Sequence, residues 1–135
     1  MSFSGRKPKI LIADDDAGLL DLLEDVFTGQ GFEVDLCENG SLADSHIKTV
    51  AYDAILSDIN MPYLDGIELT KRIRLSDLNK CVKVFIISGF VDKEKIGELK
   101  RQGISQIFIK PFRPDEIAAK IAIDIGYSIL CDLLG

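Results

Sequence analysis

The sequence predicts an α/β fold, a doubly wound five-stranded parallel sheet with five helices. Three observations predict it. Five short runs are rich in Ile, Val and Leu and mostly do not alternate with polar residues, which is how strands covered on both faces read. The stretches between them space apolar residues by three and four, the signature of amphipathic helices. The two kinds of segment alternate five times, the β-then-α order of a sheet wrapped by helices. A length of 135 residues suits one domain.

Residues 1–8, MSFSGRKP, read as a loose leader, and residues 9–135 as the domain. The first strand is Lys9–Ala13. The helix after it gathers Leu19, Leu20, Leu23, Val26 and Phe27 into one stripe, with Asp16 as its cap and Gly31 at its close. The second strand is Phe32–Cys37, and a weaker helix spans Ser41–Thr49. The third strand, Ala54–Ser57, leads to a helix over Gly66–Leu75 with Ile67, Leu69 and Ile73 inward. The fourth, Val82–Ser88, leads to a helix over Asp92–Arg101 that presents Ile96 and Leu99. The fifth strand is Ile107–Ile109. Its helix opens at Pro114-Asp115-Glu116, where proline and acids favour a start. That helix is expected to run to the chain end. Ile117, Ile121, Ile125, Ile129 and Leu133 form one stripe, and Ile123, Tyr127, Leu130 and Leu134 a second on another side. A helix apolar on two sides wants a second partner, here a homodimer mate or an output partner.

Composition excludes several functions. A net charge of −6 argues against a grip on nucleic-acid phosphates, which needs a basic face. No apolar run approaches the ~20 residues of a membrane span. The short apolar stretch Ile10–Ala13 runs straight into aspartates, so no secretory signal fits. Cys37, Cys81 and Cys131 are odd in number and widely spaced, which suits reduced thiols in a cytoplasmic protein.

In a sheet of this kind ligands bind beyond the carboxyl ends of the strands. Asp14, Asp15 and Asp16 follow the first strand, Asp58 ends the third, Ser88 ends the fourth and Lys110 follows the fifth. Asp14, Asp15 and Asp58 would share one shallow pocket, where three carboxylates repel one another without a counter-charge. Lys110 supplies one. A hard divalent cation with oxygen ligands supplies another, and Mg²⁺ suits few carboxylates and several waters. A carboxylate can be the nucleophile in phosphoryl transfer, and Asp58 is placed for that role. Ser88 and Lys110 could then contact a phosphoryl oxygen. Each residue alone also has an ordinary structural use, such as helix capping by the aspartates.

Four segments together resemble the receiver domains of two-component response regulators, of the chemotaxis-regulator type. They are ILIADDD (Ile10–Asp16), ILSDINMPYLDG (Ile55–Gly66), VFIISG (Val84–Gly89) and FIKPF (Phe108–Phe112), and the resemblance covers about Lys9 to Gly126. It implies a flavodoxin-like strand order 2-1-3-4-5. It implies that Asp58 is the phosphoacceptor and that Asp15 holds Mg²⁺ directly. Asp14 would hold the metal through water, and the Asn60 carbonyl would complete the ligands. Ser88 would be the hydroxyl that moves onto the phosphoryl group and Lys110 the bridging lysine, with Lys110–Pro111 cis. The implied partner is a sensor histidine kinase or phosphotransfer protein, and the implied role a self-modified switch without turnover on a separate substrate. One position departs. Three residues before the lysine the family usually carries an aromatic residue or histidine coupled to the hydroxyl, and here stands Ile107. Phe108 should point to the other side of the strand.

Two other readings compete. A receiver-like interaction module would take no phosphate. A small aspartate-nucleophile phosphatase would use the D-x-D of Asp14 and Asp16, and would leave Asp58 without a role.

Overall fold

The structure, a computed structural model, describes residues 3–90 and 93–127. The elements are β1 (Lys9–Ala13), α1 (Ala17–Gly29), β2 (Glu33–Cys37), α2 (Gly40–Thr49), β3 (Ala54–Asp58), α3 (Gly66–Leu75), β4 (Lys83–Ser88), α4 (Lys93–Arg101), β5 (Gln106–Ile109) and α5 (Pro114–Asp124). All strands are parallel, in the order β2-β1-β3-β4-β5, as expected. Among the described residues no helix is long and apolar enough to cross a membrane.

The unalternating strand runs are explained by two cores, one on each face of the sheet. Ile10, Ile12, Leu56, Phe85 and Ile87 meet Leu20, Leu23 and Phe27 of α1 and Ile117 and Ile121 of α5. Leu11, Ala13, Ile55 and Ile86 meet Ile47 of α2, Leu69 and Ile73 of α3 and Leu99 of α4. Successive strand residues point to opposite faces, so a strand covered on both sides must be apolar throughout.

Caps fix the helix starts. Asp16, Asn39 and Asp65 each accept a hydrogen bond from the backbone N–H three residues on, beginning α1, α2 and α3. At the amino ends of the strands the buried amide of Asn79 ties three segments. It donates to the carbonyls of Ile47 and Val50, each at 2.8 Å, and accepts from the Tyr52 N–H at 2.9 Å.

Two expectations are corrected here. The fifth helix does not continue through Gly126. It ends at Asp124, where Gly126 takes a φ of +76°. The Tyr127 N–H reaches back to the Ala122 carbonyl at 2.8 Å and the Gly126 N–H to Ile123 at 3.1 Å. This paired closure satisfies the last carbonyls and turns the chain away, and glycine is the residue that takes the left-handed position without strain. Tyr127 then belongs to the core rather than to an outer stripe, packing edge-on against Phe32 at 5.5 Å. Ile123 stays 78% exposed. Ile129, Leu130, Leu133 and Leu134 lie outside the described residues.

The leader is not loose over residues 3–8. The Phe3 ring meets Tyr127 edge-on at 5.3 Å, and the Arg6 guanidinium sits over Phe3 at 4.8 Å. Arg6 also forks onto both Asp53 oxygens at 2.9 and 3.0 Å. The fork is exposed and contributes on the order of 1 kcal/mol or less. The ring contact gives the strap its apolar anchor.

Candidate functional site

Strand register assembles the site. Ala13 pairs with Ser57, so Asp14 and Asp58 stand side by side where β1 and β3 end. Ser88 pairs with Ile109, so Ser88 and Lys110 stand together at the ends of β4 and β5. The edge residues singled out in the sequence thus gather along one rim of the sheet.

Asp14, Asp15 and Asp58 each offer a carboxylate oxygen, and these oxygens lie within 4.8 Å of one another. Asp14 is fully buried. Its Oδ1 accepts from the Asp16 N–H at 2.8 Å, but its Oδ2 is buried with no hydrogen-bond partner. Burial pushes the Asp14 carboxyl up to about 6. The Asp16 N–H and the Lys110 charge oppose this, and the charges of Asp58 and Asp15 add to it. Asp58 is 7% exposed and accepts from the Asn60 N–H at 3.2 Å. Burial raises its pKa too, against that hydrogen bond and the charge of Lys110. Asp15 faces solvent.

This donor set fits a hard divalent cation. All three groups are carboxylates, and a buried carboxylate oxygen without a partner is a costly feature that a cation removes. Asp16 stands apart from the cluster, because its side chain caps α1 by accepting from the Leu19 N–H at 3.2 Å. A D-x-D catalytic pair would need that carboxylate free. Asn60 is exposed, and its N–H already serves Asp58.

The loop after Asp58 is held by a close approach. Gly66 opens α3 with its N–H on the Ile59 carbonyl at 2.7 Å. A Cβ on Gly66 would run into the Asp58 carbonyl oxygen and the Ile59 Cα. The Asp-Gly pair visible in the sequence signals a helix start, but only the packing shows that glycine is compulsory.

Ser88 is fully buried. Its Oγ donates to the Phe90 carbonyl at 2.8 Å and accepts from the Phe90 N–H at 3.2 Å. Lys110 is exposed, its N–H donates to the Ser88 carbonyl at 2.9 Å, and the Lys110–Pro111 bond is cis. Ile107 is half-buried against the core that holds Leu99, while Phe108 packs on the opposite face, stacked on Phe85 at 6.3 Å. Nothing in the sequence marked Phe90 as the partner of Ser88, since backbone contacts leave no side-chain pattern to read.

The model of the response regulator receiver domain family matches residues 10–122. The chain belongs to this family. Among curated receiver-domain relatives, it is similar to sporulation initiation phosphotransferase F of Bacillus subtilis (strain 168). The two are 37% identical over 109 residues, 81% of this chain and 86% of that protein. It is also similar to the transcriptional regulatory protein ZraR of Klebsiella oxytoca, 28% identical over 129 residues. That match takes in 96% of this chain but spans only 29% of the relative's length. Among solved receiver domains, that of the sensor histidine kinase PA1611 from Pseudomonas aeruginosa PAO1 superposes with a TM-score of 0.79 at 25% identity. The match covers 89% of this chain and 98% of that one, whose structure has a magnesium ion coordinated in the active site cleft.

Proposed function

We propose that this receiver domain is a phosphoacceptor switch in which Asp58 takes a phosphoryl group from a sensor histidine kinase or phosphotransfer protein. The observation that carries the reading is the carboxylate cluster with its unpartnered Asp14 Oδ2. A Mg²⁺ ion held by Asp14, Asp15, Asp58 and the Asn60 carbonyl would supply charge stabilisation to the transferring group.

The chain's own residues do the rest. An Asp58 oxygen attacks the phosphorus of a phosphohistidine in line. The new bond is an O–P bond, and the P–N bond breaks as the histidine nitrogen leaves with its electron pair and later takes a proton. The Asn60 N–H orients the Asp58 carboxylate before attack. The Lys110 ammonium, whose charge already reaches Asp14 and Asp58, pairs with the oxyanion that develops. The Ser88 hydroxyl donates to the same group afterwards. The product is the modified protein itself, so the domain acts as a switch rather than as an enzyme with turnover.

Residues 9–135 form the switch unit in this reading, with residues 3–8 as a strap. The output partner, a second copy or a downstream protein, would meet the fifth helix where Ile123 stands exposed. Sedimentation of wild type and Ile123→Glu, with and without beryllofluoride, tests that half.

Incubation with Mg²⁺ and acetyl phosphate, read by intact mass, tests the chemistry. A phosphate adduct is expected in wild type and not in Asp58→Ala. No adduct in wild type with any donor would overturn the reading in favour of an interaction module.

A further inference from the structure

A groove of about 590 Å³ opens at the amino ends of the strands, at the end of the sheet away from the carboxylates. Its apolar walls are Phe3, Leu78, Val82 and Ile125, and the exposed thiol of Cys81 lies among them. Leu78 is 50% exposed. A leucine left open in a concave apolar lining is surface that gains by being covered.

The chain supplies a cover at the edge of this groove. The turn at Gly126 closes α5 and sets the Tyr127 ring against Phe3, one wall of the groove, while Ile125 is another. Residues 128–135, SILCDLLG, follow directly and lie outside the described residues. Ile129, Leu130, Leu133 and Leu134 are apolar, and Asp132 is the one charged side chain of the segment. Extended, the segment reaches up to ~29 Å, and Cys131 stands up to ~14 Å along it. Its tether at Tyr127 keeps it beside the groove at an effective concentration on the order of millimolar, far above that of a second copy in dilute solution.

We propose that this groove is the seat of the chain's own residues 128–135, which bring Cys131 beside Cys81. The apolar spacing that continues past Gly126 then serves the domain's own surface, and Ile123 stays open for a partner. Occupation of the groove does not depend on phosphate uptake at Asp58.

The native thiols test this, since Cys37 is buried and does not compete. The full chain is treated with oxidised glutathione in dilute solution. One thiolate displaces a glutathione from its disulfide, and the other thiolate then displaces the second glutathione, so the chain loses two hydrogens. The bond needs Cα atoms within about 7 Å of each other. Peptide mapping should find Cys81 joined to Cys131 in a monomer. Leu130→Ser/Leu134→Ser changes only residues outside the described fold and adds no charge beside the thiols. Closure should slow there by at least about tenfold, the factor that burying one leucine contributes to the docked population. Leu78→Ser, on the open wall of the groove, should slow it in the same way. Without oxidant, iodoacetamide should label Cys81 about tenfold faster in the Leu130→Ser/Leu134→Ser chain than in wild type, for the same reason. Chains joined to one another by the disulfide would assign the groove to a second copy and overturn the proposal. So would absence of closure, closure at an unchanged rate in the serine variants, or equal labelling of Cys81.

Discussion

The Asp58 carbonyl passes the Cα of Gly66 so closely that no side chain fits between them. The end of β3 and the start of α3 are packed together there, with the Gly66 N–H on the Ile59 carbonyl at 2.7 Å, so the backbone that presents the Asp58 side chain leans directly on α3.

Gly66→Ala should therefore cost about 3 kcal/mol, the upper range for forcing atoms into a packed site. It should also lower phosphate uptake at Asp58. Gly29→Ala is the control. A Cβ there meets nothing within 4 Å, and alanine in a helix is favoured over glycine by up to about 1 kcal/mol. Urea unfolding of the two variants should move the midpoint in opposite directions.

The raised Asp14 pKa sets a pH dependence. The folded protein binds the Asp14 proton up to about pH 6, whereas the unfolded chain releases it near the ordinary value of 3.8. Between those values the folded state holds the extra proton, so stability falls as the pH rises through the window. Asp14→Asn removes this loss. Without divalent metal, its stability advantage over wild type should be small at pH 4 and grow to as much as ~3 kcal/mol above pH 6, at about 1.4 kcal/mol per unit. Urea titrations at four pH values measure it, and a constant gap would show that Asp14 is not the titrating group. Added Mg²⁺ should stabilise wild type more than Asp14→Asn.

Sequence pattern exposed the sheet and its rim because both are written in residue type. A doubly covered strand must be apolar on both faces, and Asp14, Asp58, Ser88 and Lys110 break that rule one after another as each strand ends. The end of α5 was not legible in the same way. Apolar spacing continues past Gly126, and only the backbone closure from Tyr127 to Ala122 shows that the helix has stopped. The strap over residues 3–8 was hidden because its anchor, Tyr127, lies far along the chain. Phe90 was hidden because it reaches Ser88 through its peptide.

Ile107→Tyr should leave phosphate uptake at Asp58 unchanged, since position 107 lies in the Leu99 core and touches none of the three carboxylates. Adduct formation with acetyl phosphate, followed by intact mass, checks this. A large fall in rate would place residue 107 within the chemistry.

Asn79→Ala should destabilise the fold by about 3 kcal/mol without altering the rim. Asn79 is 1% exposed, and its loss strands the Val50 carbonyl and the Tyr52 N–H, each orphan costing about 1–3 kcal/mol before relaxation, while the Ile47 carbonyl keeps the Ser76 hydroxyl at 3.2 Å. Chemical denaturation gives the loss, and adduct formation at low temperature should remain that of wild type.

The edge-on contact of Phe3 with Tyr127 brings sequence-distant parts of the chain together at the amino ends of the strands, across the sheet from the carboxylates. A surface linker, dye or fused reporter placed beside either ring would sit far from Asp58. The molecule can thus be immobilised or labelled there, and single-molecule recordings made while the opposite rim exchanges phosphate undisturbed.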